Sequence, residues 1–304
     1  MILRSTLLHV AASPTIRDWM THSVATRRVA NRFVAGETID TALAAVAELN
    51  AQGLSATLDH LGENVSTEAE AAAARDVCLE MLDRIDQRRL NSHISVKLTQ
   101  LGLDLSVDLC RKNLESLLER AGRYTSFVRV DMEGSPYTQR TLDMVCDLHQ
   151  RYENIGAVVQ AYLRSTEKDV ERLLAAKIRI RLCKGAYQEP AEVAFQEKAE
   201  VDRNYVKLAQ RLLESGIYHG IATHDEHIIR AVEEHARSRG IAQTSFEFQM
   251  LYGIRRDLQR QLRRDGWGMR VYIPFGSHWF PYLVRRLAER PANLFFIVRN
   301  LFRG

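Results

Sequence analysis

The sequence predicts an α/β protein folded as a (β/α)8 TIM-like barrel with extra amino-terminal helices, and three observations carry that expectation. Eight short runs of β-branched and apolar residues alternate with longer amphipathic stretches, the pattern of repeated parallel βαβ units. No low-complexity or Gly/Ser-rich linker divides the 304 residues, a length that suits one barrel of roughly 250 residues with additions. No G-x-G-x-x-G follows an early strand, as an open dinucleotide-binding sheet would want; Gly266-Trp-Gly268 precedes a strand instead of opening a helix. Residues 1–304 are therefore read as a single domain, with helices in 1–50 and the barrel in 51–304.

Taken in order, Ser13-Pro14 starts a first helix, and Glu37-Thr-Ile-Asp40 leads into the helical run Ala42-Leu-Ala-Ala-Val-Ala-Glu-Leu. The strands are expected at Leu54–Asp59, Ile94–Leu98, Phe127–Asp131 and Ala157–Tyr162, then at Ile178–Cys183, Gly220–His224, Ser245–Gln249 and Met269–Ile273. Amphipathic helical spacing fills Glu68–Asp86, Asp108–Ala121, Thr141–Tyr152 and Ala191–Ser215 between them. The last unit runs Arg270-Val-Tyr-Ile-Pro-Phe-Gly276 and passes into a helix that carries the adjacent pair Arg285-Arg286.

Composition sets bounds. A hydrophobic content of 46% and a charged content of 26% are those of a globular protein. The 42 Lys and Arg are interspersed with 38 Asp and Glu, so the net charge of +4 forms no stripe for nucleic acid, although it suits an anionic membrane face. Cys78, Cys110, Cys146 and Cys183 make no CxxC; three fall in helical patterns and read as buried free thiols of a reducing compartment. No apolar run approaches the roughly 20 residues of a membrane span. The apolar start of the chain is short and broken by His9, so it is not read as a signal peptide, and the expected location is cytoplasmic.

In a barrel the chemistry sits at the carboxyl ends of the strands. Those ends offer Asp59 and Glu63, Lys97, Asp131, Gln160 with Arg164, and Arg181 with Lys184 and Tyr187. Thr223-His224-Asp225, Glu247 with Gln249, and Tyr272 follow. An interior ion-pair network is one reading of so many polar groups. Their cost when unpaired makes a functional reason the stronger one. Three chemistries compete. A metal hydrolase lacks HxH or HExxH spacing, and no metal is expected. A Schiff-base lysine is offered by Lys97 and Lys184, both in charged company. A cofactor enzyme would use Arg181 and Lys184 for phosphates or a flavin ring and the Arg285-Arg286 forks for a substrate anion.

Five segments go further. Phe127-Val-Arg-Val-Asp-Met-Glu-Gly134, Arg181-Leu-Cys-Lys-Gly-Ala-Tyr187, Ala222-Thr-His-Asp225, Phe246-Glu-Phe-Gln-Met-Leu-Tyr-Gly253 and Tyr272 with Tyr282-Leu-Val-Arg-Arg286 resemble, in order, the motifs of proline dehydrogenases. The resemblance covers roughly residues 20 to 304, and Arg290-Pro-Ala-Asn293 is similar to the monofunctional bacterial branch. It implies oxidation of L-proline to 1-pyrroline-5-carboxylate by hydride transfer to N5 of a non-covalent FAD. Electrons then pass to a membrane quinone, with peripheral contact at the inner face of the cytoplasmic membrane, and a separate pyrroline-5-carboxylate dehydrogenase takes the product. Carried over by motif, Arg285, Arg286 and Lys97 clamp the carboxylate and Asp131 orients the clamp. Tyr187, Leu251 and Tyr272 wall the ring, with Tyr272 crowding a hydroxyproline, and Glu63 pairs with Arg285 as a gate. Gln160 contacts the flavin ring and Arg181 its N5. Lys184, Thr223 and His224 reach the phosphates and ribitol, Gly185 and Ala186 allow close approach, and Glu289 completes the cofactor set. Cys183 and Asp225 depart from the family's usual small aliphatic residue and Asn. No general base is evident. Dehydrogenation of hydroxyproline or another cyclic secondary amino acid is the alternative reaction, and a non-catalytic ligand-binding barrel is the alternative class.

Overall fold

The computed structural model describes residues 30–289, with side chains as far as Val284. The helix expected from Ser13-Pro14 and the Arg290–Asn293 segment lie outside the described residues. Among the described residues the order begins with α1 (Ile39–Ala51), β1 (Ser55–His60), α2 (Glu68–Gln87), β2 (Ser92–Val96), α3 (Val107–Arg123) and β3 (Val128–Val130). It continues with α4 (Ser135–His149), β4 (Ile155–Gln160), α5 (Thr166–Ala175), β5 (Arg179–Cys183) and α6 (Lys198–Leu213). β6 (His219–Ala222), α7 (Glu226–Ser238), β7 (Phe246–Leu251), α8 (Arg256–Arg264), β8 (Gly268–Phe275) and α9 (Trp279–Glu289) complete it.

Every strand pairs in parallel with its sequence neighbour and β1 closes on β8, so the eight form one closed barrel as expected. Thr67 starts α2 with a capping box: its hydroxyl accepts from the Glu70 amide while Glu70 reaches back, satisfying donors that a helix start leaves orphaned. Two helix starts differ from the sequence reading. α4 begins at Ser135, six residues before Thr141, because Pro136 in its first turn suits a position whose N–H needs no partner. α6 begins at Lys198 rather than Ala191. The Pro190 carbonyl accepts from the Val193 and Ala194 amides in a turn, and the Phe195 amide donates to Tyr162, bridging this segment to the end of β4. Among the described residues, no helix is long and apolar enough to cross a membrane.

Strand alternation sorts two environments. Outward residues such as Leu58, Ile94, Val96, Val130, Ile180, Phe248 and Ile273 are buried against the helices, where Leu114, Leu117, Leu142 and Val232 meet them. The inward set is polar. Arg181 of β5 donates to Ser95 of β2 and to Asp131 just after β3, and Tyr272 of β8 donates to Asp131, bonds that can only cross the interior. Branched apolar residues usually fill that space. Here Arg129, Glu247 and Arg270 form its amino-terminal layer instead. Arg129 donates to the carbonyls of Ala157 and Arg179, and burial lowers its guanidinium to about 9. Glu247, expected among the strand-end polar groups, is the second residue of β7 and is bound to Arg270 and Tyr218, because it lies near the start of its strand rather than at its end.

Candidate active site

The barrel opens at its carboxyl end into a cavity of about 800 Å³, a common size for a ligand site. Every predicted site residue whose side chain is described lines it. Arg285, Arg286 and Glu289 fall on α9, and their side chains lie outside the description, so the expected Glu63–Arg285 gate does too. Arg164 does not line the cavity; its guanidinium donates to the Ala191 carbonyl and stacks on Phe195.

At the floor, four charges share one network. Lys97 follows β2 by one residue, and its ammonium donates to both oxygens of Asp59 at 3.1 and 3.2 Å and to Asp131 at 3.4 Å. Asp131 also accepts from Arg181 Nη1 at 2.7 Å, Ser95 at 3.0 Å and Tyr272 at 2.7 Å. All four charged side chains are buried. The burial that would push Asp131 up is outweighed by Lys97 and Arg181, which hold it below the usual carboxylate range. Lys97 is pulled down by burial but raised further by Asp59 and Asp131, so it stays an ammonium and is no Schiff-base nucleophile.

Asp59 moves the other way. Its burial, with the Asp131 charge adding to it, outweighs Lys97 and pushes the carboxyl from 3.8 up to about 6. A raised carboxyl favours the folded state while protonated, so this contribution is full below about pH 4 and is lost as pH rises through about 6. The amide of D59N cannot titrate. The stability advantage of wild type over D59N is therefore expected to fall by about 2–3 kcal/mol between pH 4 and pH 7. Urea unfolding of both proteins across that range checks it; an advantage that stayed flat or grew would show that Asp59 is ionised throughout.

One wall is built by the end of β5. Gly185 has φ +119°, in the region that favours glycine, and an added Cβ would collide with the Tyr162 ring. The chain thus turns tightly between Lys184 and Ala186. The Lys184 ammonium is held by Asp202 of α6 and by Asp225, the latter at 2.9 Å, and Lys198 reaches the same two carboxylates. The Lys184 contact outweighs burial and lowers Asp225 to about 2. Across from it, His224 Nε2 accepts from the Leu251 amide at 2.9 Å and the Thr223 amide donates to the Gln249 carbonyl. Gln160 is fixed by donating to the Glu133 carbonyl.

Sequence reasoning offers Asp59 and Gln249 as strand-end polar groups without a role, and does not single out Ser95 or Asp202. Asp59 ends its strand run and is legible there. Asp202 comes from the helix eighteen residues beyond Lys184, and no local pattern signals it.

The arrangement can hold an anion by fixed cations and accept an extended, partly apolar ligand along the Gly185 wall. Arg181 Nη2 is buried and has no hydrogen-bond partner among the described residues, an orphan of the sort a ligand acceptor satisfies. Comparisons with known proteins agree with the five motifs. The family model described as "Proline dehydrogenase" matches residues 42–299. The chain is 40% identical over 301 residues to proline dehydrogenase 2 of Bacillus subtilis, covering 99% of both chains. It is 37% identical over 308 residues to the proline dehydrogenase of Deinococcus radiodurans, covering 99% of that protein. The fold is similar to a crystal structure of proline utilization A from Bdellovibrio bacteriovorus inactivated by N-propargylglycine, with TM-score 0.81 and 28% identity over 86% of this chain. That protein is longer, and the chain spans about a third of it, 32%. A match over most of its length, and relatives of nearly its own size at such identity, place this chain in the proline dehydrogenase family.

Proposed function

We propose that the chain oxidises L-proline to 1-pyrroline-5-carboxylate with non-covalent FAD and passes the electrons to a membrane quinone. The observation that carries this reading is the buried Arg181–Asp131–Lys97 network beneath the cavity, with Arg181 Nη2 left without a protein partner among the described residues. The residues fit the cofactor: the Gly185 turn lets backbone approach a flat ring, the orphan Arg181 nitrogen can donate to it, and Lys184 and Lys198 can meet phosphates. Bound there, FAD supplies the hydride acceptor for the ring carbon next to the proline nitrogen.

The rest is positioning by this chain. Lys97, kept charged by Asp59 and Asp131, and the Arg285-Arg286 pair of α9 hold the proline carboxylate. Tyr187, Leu251 and Tyr272 wall the ring, and the Asp131 bond fixes the Tyr272 hydroxyl so that it cannot swing aside for a hydroxylated ring. Gln160, Lys184, Thr223 and His224, which line the cavity, and Glu289 of α9 would contact the cofactor, while Glu63, another lining residue, would gate the substrate. Membrane contact at the inner face of the cytoplasmic membrane gives access to the quinone, and a separate pyrroline-5-carboxylate dehydrogenase takes the product.

The deciding experiment is anaerobic addition of L-proline to the purified protein loaded with FAD, followed by its absorbance. Bleaching by proline, with weaker or no bleaching by hydroxyproline and pipecolate, is expected. A protein that takes up no FAD, or is bleached equally by all three, is not a proline-selective flavoenzyme. Within this reading, R285M and R286M each remove charged hydrogen bonds worth about 1.5–3 kcal/mol, so the KM for proline should rise about tenfold to a hundredfold with flavin retained. An unchanged KM in both variants would remove these arginines from the clamp.

A further inference from the structure

The groups beneath Arg181 do more than fill the barrel. Arg181 Nε donates to Gln249 Oε1 at 2.6 Å, and Gln249 Nε2 donates to Glu247 Oε1 at 2.7 Å. The same Glu247 oxygen accepts from Arg270 Nε at 2.6 Å, while Oε2 accepts from Tyr218 at 3.0 Å. Arg270 in turn donates to the Ala56 carbonyl at 2.6 Å. The result is a buried chain along the barrel axis that connects the amino-terminal layer to the floor of the cavity.

Its chemistry allows one direction. A guanidinium is only a donor and a carboxylate only an acceptor, so the amide between them must turn its oxygen to Arg181 and its NH2 to Glu247. The opposite amide orientation would set NH2 against guanidinium and oxygen against carboxylate, losing both bonds. Glu247 therefore dictates how Gln249 stands, and Gln249 pins Arg181 Nε. Asp131 and Ser95 pin Nη1 from the far side. Held on two of its three nitrogens, the guanidinium leaves Nη2 as the one for a ligand. The space for this device is reserved by Gly220: a Cβ there would lie 2.8 Å from Gln249 Cδ and closer still to its Nε2.

We propose that Glu247, acting through Gln249, is a positioning residue that sets the orientation in which Arg181 meets the flavin, an inference that rests on the flavin reading above. A purely structural ion network predicts lost stability and nothing else. A positioning device also changes the electrostatics at the cofactor, because a cation aimed at the ring favours the negative charge that reduction adds. The experiment measures the flavin midpoint potential and FAD affinity of the FAD-loaded wild type, Q249L and E247M, alongside thermal unfolding. Q249L should weaken the reduction equilibrium about tenfold, which for a two-electron couple is a shift of about 30 mV to more negative potential. E247M should shift the same way but less, since it removes the acceptor that orients the Gln249 amide and leaves Gln249 able to meet Arg181. A potential equal to wild type in Q249L overturns the proposal, whatever happens to stability. If Q249L does not fold, an unchanged potential and FAD affinity in E247M overturn it. A wild type that binds no FAD fails earlier and sinks the functional reading, and the inference with it.

Discussion

Replacing Asp131 with alanine is expected to destabilise the protein by about 3–5 kcal/mol and to abolish proline oxidation, the largest effect of any single site substitution proposed for this chain. Asp131 is the carboxylate that pairs with Arg181 in the described structure and is one of two that pair with Lys97. Its loss strands a buried guanidinium, and removing one partner of a buried pair costs far more than the net worth of the pair. Tyr272 and Ser95 lose their acceptor at the same time. D131N separates shape from charge. The amide oxygen can still accept from Arg181 and Ser95 while its NH2 faces the Tyr272 hydroxyl, so it should recover part of the stability, with Asp59 left as the carboxylate that pairs with Lys97. Urea unfolding at equal m-value measures the first effect, and flavin bleaching by proline measures the second. If D131A unfolds within about 1 kcal/mol of wild type, the cluster is better solvated than its burial implies.

The second large effect is expected from G185A, which should lose FAD while most of the barrel still folds. A side chain at φ +119° costs about 1–3 kcal/mol by itself. The added methyl also meets the buried Tyr162 ring, whose backbone carbonyl accepts from Phe195 and whose amide donates to Lys184. Neither neighbour can retreat without moving the segment that carries Lys184 and Ala186. The FAD dissociation constant should therefore rise at least about a hundredfold, read by recovery of flavin fluorescence on dilution. Retained affinity would mean that the turn relaxes without disturbing the cofactor wall.

Much of this is legible in the sequence because strands advertise themselves by short apolar runs and helices by their spacing. All eight predicted strands exist, and the polar residues near their carboxyl ends, Arg164 and Glu247 apart, do line one cavity. What periodicity cannot supply is which end of a run a residue occupies in the barrel. Glu247 sits inside its predicted strand, yet pairing with Arg270 places it in the amino-terminal layer. The apolar content of Ala191–Phe195 imitates a helix, whereas the turn at Pro190 and the bridge to Leu163 give those residues a different job. Asp202 is invisible for another reason: its meeting with Lys184 depends on how α6 lies against the barrel.

The hydrogen bonds that cross the barrel have a consequence for how the site comes into being. Tyr272 and Asp131 are 141 residues apart in sequence, and Arg270 and the Ala56 carbonyl are 214 apart. Contacts this distant along the chain form only after the loop-closure entropy between them has been met, and folds rich in them assemble slowly. The charged floor is thus a product of ring closure: seven paired strands supply most of its residues but not its geometry. On the flavin reading proposed above, capture of FAD during refolding is expected to report the docking of β8 onto β1, the step that brings Tyr272 to the floor.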